Sequence, residues 1–255
     1  MKRLIAVANQ KGGVGKTTTS INLAAALAER GRRVLLVDLD PQFNATIGLG
    51  VDPYADDLLT VGQVLLDGQA TIADAIVATC VPGLDLAPAR LDLGQVDLRL
   101  PQLVASETIL RRRITPEIHD RYHYVVFDCA PNLGRIVVNA LTAATDVLIP
   151  LQVGRWALEG TSALLETVEE VRETLNPELR VMGVLCTMVD TRTGIAREVV
   201  NRVREEFGDL VFATMIKTAA KLSETAFAAK PITTYAPTSE SAESYRALAA
   251  EVEAR

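Results

Sequence analysis

The chain has 255 residues, 49% of them hydrophobic and 4% aromatic, which is enough to bury a full α/β core as one domain. A formal net charge of −6 excludes nucleic-acid binding through bulk charge, so any such binding needs a local basic patch. Cys80, Cys129 and Cys186 lack metal-ligand spacing and suit a reducing compartment; Cys129 and Cys186 sit in apolar runs that predict buried thiols.

In chain order, "RLIAVA" (3–8) reads as a buried strand that runs at once into "NQKGGVGKTTTS" (9–20). That apolar run is too short for a signal peptide, and no later one is long enough to span a bilayer, so a cytoplasmic protein is expected. A helix is predicted over 16–30, closed by Gly31, and a second strand in "RVLLVD" (33–38). Segment 50–110 is the least regular and is placed on the periphery. "YVVFD" (124–128), "DVLIPL" (146–151) and "RVMGVLCTMV" (180–189) read as further strands, with a helix at 158–175 before Asn176-Pro177. The strands are continuously apolar, as strands covered on both faces are. Their alternation with helices predicts a single-domain three-layer α/β sandwich over 1–255: a mostly parallel twisted sheet with helices on both faces.

The glycine loop sits between a strand and a helix, where backbone N–H groups and the helix N-terminus can meet one anion. The usual phosphate loop, G-x-x-x-x-G-K-[ST], places one lysine, here Lys16, on the β/γ-phosphates and a hydroxyl, here Thr17, on Mg²⁺. The loop residues Gly12, Gly13, Val14, Gly15, Lys16, Thr17 and Thr18 are the expected cradle. Gln10 stands where the pattern expects its first glycine, and a second lysine, Lys11, follows it. Asp38 and Asp40 fall at the end of the second strand, where Pro41 stops it, and Asp128 ends another. Ligands of open α/β sheets bind at the carboxyl ends of strands, so the three carboxylates are expected to converge on the loop as a Mg-nucleotide site.

"KGGVGKTT", "VLLVDLDPQFNAT" and "YVVFDCAPNLG" resemble the deviant Walker motifs of the ParA/MinD ATPases. "GVLCTMVDTRTG" and "KLSETA…KPI" resemble the chromosome-partitioning ParA (Soj) branch. The resemblance implies a deviant Walker P-loop NTPase fold, ATP and Mg²⁺ as cofactors, and slow hydrolysis stimulated by a partner. It implies an ATP-dependent sandwich homodimer that binds double-stranded DNA without sequence preference, a ParB-like centromere-binding partner and a nucleoid-associated location. With the glycine loop so near Met1, the extra operator-binding domain of longer relatives is not expected. By the same likeness Lys11 crosses the dimer interface to the partner's ATP, which makes dimerisation conditional on that nucleotide. Asp40 positions the attacking water and shares the metal site with Thr17 and Asp128; Asp38 orders metal and loop; Met188 is among the nucleotide contacts.

Residues 195–207 form an amphipathic pattern, with Ile195, Val199, Val203 and Phe207 predicted on the buried face and Arg197, Asn201 and Arg204 on another. Arg192 and Lys221 match positions through which the family grips DNA phosphates, and Arg197, Arg204 and Lys217 are grouped with them. Arg111–Arg113 is expected to be a solvated run. Three positions depart from the family pattern: Phe43 for glycine, Asn132 for serine, and Thr218-Ala219 for Arg-Asn.

The C-terminal "ESAESYRALAAEVEAR" separates the nearest rival. A MinD-like membrane-cycling ATPase needs a basic amphipathic tail; here glutamates outnumber arginines, so Tyr245, Leu248 and Val252 are predicted to pack on the chain's own core. A metabolic P-loop ligase needs a pocket for a small acid, and no motif for one is seen. An iron–sulfur reductase needs bridging cysteines.

Overall fold

The computed structural model describes residues 2–154 and 159–255. The elements begin with β1 (Arg3–Val7), α1 (Lys16–Glu29), β2 (Val34–Leu39), α2 (Asn44–Gly48) and α3 (Val61–Leu66). Next come β3 (Val77–Ala78), β4 (Leu84–Ala87), α4 (Leu93–Arg99), α5 (Ile109–Arg113) and α6 (Pro116–Arg121). They are followed by β5 (Tyr124–Cys129), α7 (Arg135–Ala143), β6 (Asp146–Gln152) and α8 (Glu159–Thr174). The chain continues through β7 (Arg180–Thr187), α9 (Gly194–Phe207), α10 (Ala220–Ala228), α11 (Ile232–Tyr235) and α12 (Glu240–Ala254).

The strands form one sheet in the order β3-β4-β2-β5-β1-β6-β7, parallel throughout except for the β3–β4 pair. The five apolar runs read from sequence are β1, β2, β5, β6 and β7, and all lie in its interior or at its β7 edge. Apolar side chains alternate between two clusters, one per face. Ile5, Val7, Leu36 and Val126 pack under α1 and α12; Leu4, Leu35, Val37, Val125 and Phe127 pack under α3 to α9. Helix α1 ends as its sequence indicates: Gly31 takes φ 79°, and the Arg32 N–H reaches back to the Leu27 carbonyl at 3.2 Å.

Two expectations need correction. Segment 50–110 is not wholly peripheral, because β4 pairs with β2 inside the sheet. On α9, Val203 is buried and Val199 and Phe207 pack against the core as expected, but Ile195 is 70% exposed at the helix start, and Ala196 and Val200 complete the buried face. In the arginine run 111–113, Arg111 and Arg112 are exposed as expected, and the guanidinium groups also reach backbone: Arg111 donates to the Leu175 carbonyl, Arg112 to Ala105, and Arg113 to Gly68 and Asp67. The predicted helix over 158–175 is α8; Leu158 itself lies outside the described residues.

The packing of α12 follows its sequence. Tyr245, Leu248 and Val252 are all buried in the cluster beneath it. Beyond its last turn, Arg255 donates from Nη1 to the Met182 and Leu210 carbonyls, from Nη2 to those of Asp209 and Val211, and stacks 4.2 Å over Phe212. Gly183 makes this possible, since a Cβ there would lie 2.6 Å from both Arg255 Nη1 and the Leu210 carbonyl oxygen. Gly183→Ala is therefore expected to destabilise the fold by about 1–3 kcal/mol, because backbone cannot yield as a side-chain tip can. Urea unfolding of the variant, with its midpoint lowered at an unchanged slope, checks this.

Candidate functional site

The loop from Asn9 to Gly15 leaves the centre of the sheet, where β1 stops between β5 and β6. Gly13 and Gly15 take φ of 74° and 88°, left-handed values that a side chain would strain. The first turn of α1 holds no acidic residue, so its N-terminal dipole is open to an anion. Two buried side chains brace the loop. Asn9 donates to the Pro150 carbonyl at 2.7 Å and accepts from the Lys11 N–H at 3.0 Å; Thr187 donates to the Val14 carbonyl at 2.8 Å. Lys16 folds back to donate its ammonium to the Lys11 carbonyl at 3.0 Å, while the Lys11 side chain is exposed.

Parallel pairing brings the acids to this loop. The β2–β5 register sets Asp38 opposite Asp128, and neither is accessible to solvent. Asp38 accepts from the Thr46 N–H and hydroxyl at 2.9 and 2.7 Å and from the Asp40 N–H at 3.2 Å. Asp40, nearly buried just past the strand, accepts from the Gln42 N–H at 2.9 Å. Asp128 accepts from the Ser20 hydroxyl at 2.8 Å, and the Thr17 hydroxyl also serves it. Its other oxygen, Oδ2, is buried and has no hydrogen-bond partner among the described residues. Burial raises the pKa of both carboxyls, and the charge of Asp38 raises Asp128 further. Burial lowers the pKa of Lys16, opposed by Asp128, Cys129 and Asp40.

The three carboxylates thus converge below the loop. An unpartnered buried oxygen, a buried ammonium whose hydrogen bond among the described residues is to a backbone carbonyl, and an open helix N-terminus suit a polyphosphate carrying a hydrated divalent cation. Among the described residues no group of three His, Cys, Asp or Glu could hold a metal without such help. Beside Gly15 and Thr18 a cavity of about 320 Å³ is lined by Thr187, Met188, Ile216, Lys217, Thr218 and Leu222 among others. Met188 and the divergent Thr218 therefore both border it.

The basic residues fall together less completely. Arg197, Arg204 and Lys221 are exposed. Arg192 is engaged by Asp190 through two contacts of 2.9 Å, and Lys217 is paired with Glu240. Cys129 and Cys186 are buried, as expected.

Several residues of the site were not singled out by the sequence reading: Asn9, Ser20, Thr46 and Thr187. Each lies inside a motif that was quoted, and each acts through a side-chain hydroxyl or amide. Hydroxyl-bearing residues within glycine-loop and strand-end motifs were the available signal.

The AAA domain family matches residues 2–181. The sporulation initiation inhibitor protein Soj of Bacillus subtilis is 46% identical over 254 residues, covering 100% of this chain and 99% of that protein. The chromosome partitioning protein ParA of Caulobacter vibrioides is 43% identical, covering 99% and 94%. A crystal structure of cobyrinic acid a,c-diamide synthase from Mycobacterium smegmatis with bound ADP and magnesium superimposes with a TM-score of 0.84 at 39% identity, covering 98% and 93%. With identity of this order along its whole length and the phosphate loop and strand-end acids in place, the chain belongs to the Soj/ParA family of partitioning P-loop ATPases.

Proposed function

We propose that this chain, one domain over 1–255, binds Mg-ATP, dimerises on it, holds DNA without sequence preference, and releases it on hydrolysis stimulated by a ParB-like partner, in the cytoplasm on the nucleoid. The observation that carries the reading is the convergence of Lys16, Thr17, Asp38, Asp40 and Asp128 at one loop. Gly12 to Thr18 wrap the phosphates, and Lys16 exchanges the Lys11 carbonyl for β/γ-phosphate oxygens. The Thr17 hydroxyl and, through water, the carboxylates of Asp128 and Asp40 would hold Mg²⁺, which when bound would supply positive charge to the phosphates. Asp40, at the mouth of the site, orients the attacking water. Asp38 fixes the Asp40 backbone and α2, and Met188 borders the base. Lys11, exposed on the loop, reaches the ATP of a second copy and ties dimerisation to the terminal phosphate.

The likeness to a diamide synthase structure favours one other reading, an ATP-dependent ligase. ATP turnover that depends on an added small acid would support it. A membrane-cycling role has less to work with. Among the described residues no helix is long and apolar enough to cross a membrane, and α12 spends its apolar stripe on the core.

Three tests follow from this reading. Lys16→Ala is expected to lose nucleotide binding; Asp40→Ala should bind ATP but hydrolyse it at least tenfold more slowly, accumulating as dimer; Lys11→Ala should bind ATP as a monomer. Turnover assays and light scattering on the three variants check this, and wild-type turnover in Asp40→Ala would refute the role given to it.

DNA co-sedimentation with ATP, ADP or no nucleotide tests the partner. Binding is expected only with ATP, with log affinity falling against log salt at a slope near −5 if roughly six phosphates are neutralised per dimer. Arg192→Glu or Lys221→Glu should weaken binding to every sequence equally while dimerisation persists. Affinity indifferent to salt and ATP would sink the DNA assignment.

The buried acids set a pH dependence. The folded state holds the Asp128 proton more tightly than the unfolded chain, so stability without nucleotide falls as pH rises above the ordinary carboxylate range. Asp128→Asn removes that charge and should be more stable than wild type at pH 8 by about 1 kcal/mol or more, with the gap closing toward pH 5. Thermal unfolding at the two pH values gives the answer.

A further inference from the structure

Helix α7 begins at a position that cannot cap itself. Its N-cap is Gly134, and the N–H of Ile136, the second helical residue, donates to Asp97 Oδ1 at 3.0 Å. Asp97 belongs to α4, 39 residues earlier in the chain. A carboxylate in this place does the work of an N-cap side chain and meets the positive end of the α7 dipole. Gly134 is fitted to it: a Cβ there would lie 2.2 Å from Asp97 Oδ2 and 2.9 Å from its Cγ. Loop 130–134, which joins Asp128 to α7, is therefore held at its far end by a residue outside every recognised motif.

The approach to α4 is tied to the other acidic loop. The Ala89 N–H donates to the Thr46 hydroxyl at 3.0 Å, and that hydroxyl donates to Asp38 Oδ2. Gly94 rests against Pro41, where a Cβ would make ordinary contact at 3.7 Å. Residues 89–97 thus span from the Asp38 side of the site to its Asp128 side. Ala89, Leu93 and Val96 anchor this strap in the core, while Leu91 and Leu98 are exposed. Within it Arg90 donates to the Ala55 and Leu58 carbonyls and Asp92 accepts from the Thr60 hydroxyl at 3.3 Å, so the strap is fixed along its length and Asp97 is the residue that extends it to α7.

We infer that Asp97 is a positioning residue for the nucleotide site, capping α7 from α4 and thereby fixing loop 130–134, which follows β5 just beyond Asp128. Its consequence for turnover rests on the ATPase reading; its consequence for loop order does not. Asp97→Ala removes the cap, Asp97→Asn keeps an oxygen acceptor at the same place, and Gly134→Ala forces the carboxylate away while leaving it in the chain.

Hydrogen exchange of the nucleotide-free protein is the primary test. Amides of 133–138 should exchange roughly five- to tenfold faster in Asp97→Ala and Gly134→Ala, with β1 and β5 amides unchanged and Asp97→Asn near wild type. In turnover, Asp97→Ala should lower kcat about tenfold with Mg-ATP affinity within twofold, again rescued by Asp97→Asn. Unchanged exchange at 133–138, equal acceleration throughout the sheet, or unchanged kcat beside faster exchange would overturn the inference. If the wild-type protein turns over no ATP, the ATPase reading fails, and the exchange result still decides whether Asp97 orders the loop.

Discussion

Asp38 and Asp128 face each other on adjacent parallel strands with no access to solvent, and much of the surrounding structure answers the cost of that placement. Two like charges sealed in a low-dielectric interior are strongly unfavourable unless hydrogen bonds and a cation compensate them. Asp38 is served by Thr46 and the Asp40 N–H. Asp128 draws on one helix: Lys16 and Ser20 lie one turn apart on α1, so the residue that meets the anion and the one that meets the acid share a face. The compensation is incomplete, since one oxygen of Asp128 has no hydrogen-bond partner among the described residues. Such a site is held short of its own stability optimum, and added positive charge between the carboxylates and an anion on the loop would complete it.

The turn after Asp40 carries a second local cost. Phe43 adopts φ 45°, a left-handed conformation that glycine takes freely and a phenylalanine does not. The family likeness places glycine at this position, and the observed backbone explains why. In this chain the ring packs edge-on to Tyr54 with centroids 6.0 Å apart, an offsetting contact that a glycine lacks. The same turn leads into α2, whose Thr46 clasps Asp38, so the strained residue sits between Asp40 and the threonine that holds Asp38.

How much of this was legible depends on the range of the interaction. Continuous apolar runs announced β1, β2, β5, β6 and β7 because burial on both faces leaves no polar alternation to confuse the reading. The β4 sequence "LDLA" is four residues between Gly83 and Pro88, too short to stand out, and its Asp85 looks outward to Arg121 and Tyr122. In the α9 stripe only Ile195 was misplaced, because at the helix start the small Ala196 packs against the core and the larger Ile195 stays outside. The loop and its acids were readable because local spacing along the chain places each of them. The hydrogen bonds from the Ala89 N–H to Thr46 and from the Ile136 N–H to Asp97 join residues about 40 positions apart, and nothing local in the sequence records them.

The charge distribution bears on how a molecule of net charge −6 could hold DNA. In a single subunit Arg192 and Lys217 are already answered by Asp190 and Glu240, and Glu198, Glu205 and Glu206 share α9 with the arginines. A phosphate that displaces one of these acids exchanges one ion pair for another and gains little, and salt screens what remains. The net attraction of one subunit then comes from Arg197, Arg204 and Lys221, too few for firm binding. Joining two subunits on one duplex makes the second set of contacts intramolecular, which raises affinity by orders of magnitude without any new contact within a subunit. On the partitioning reading, nucleotide control of DNA binding therefore requires no rearrangement of the basic face. It requires only that the face be weak alone, and the acids beside Arg192 and Lys217 keep it so.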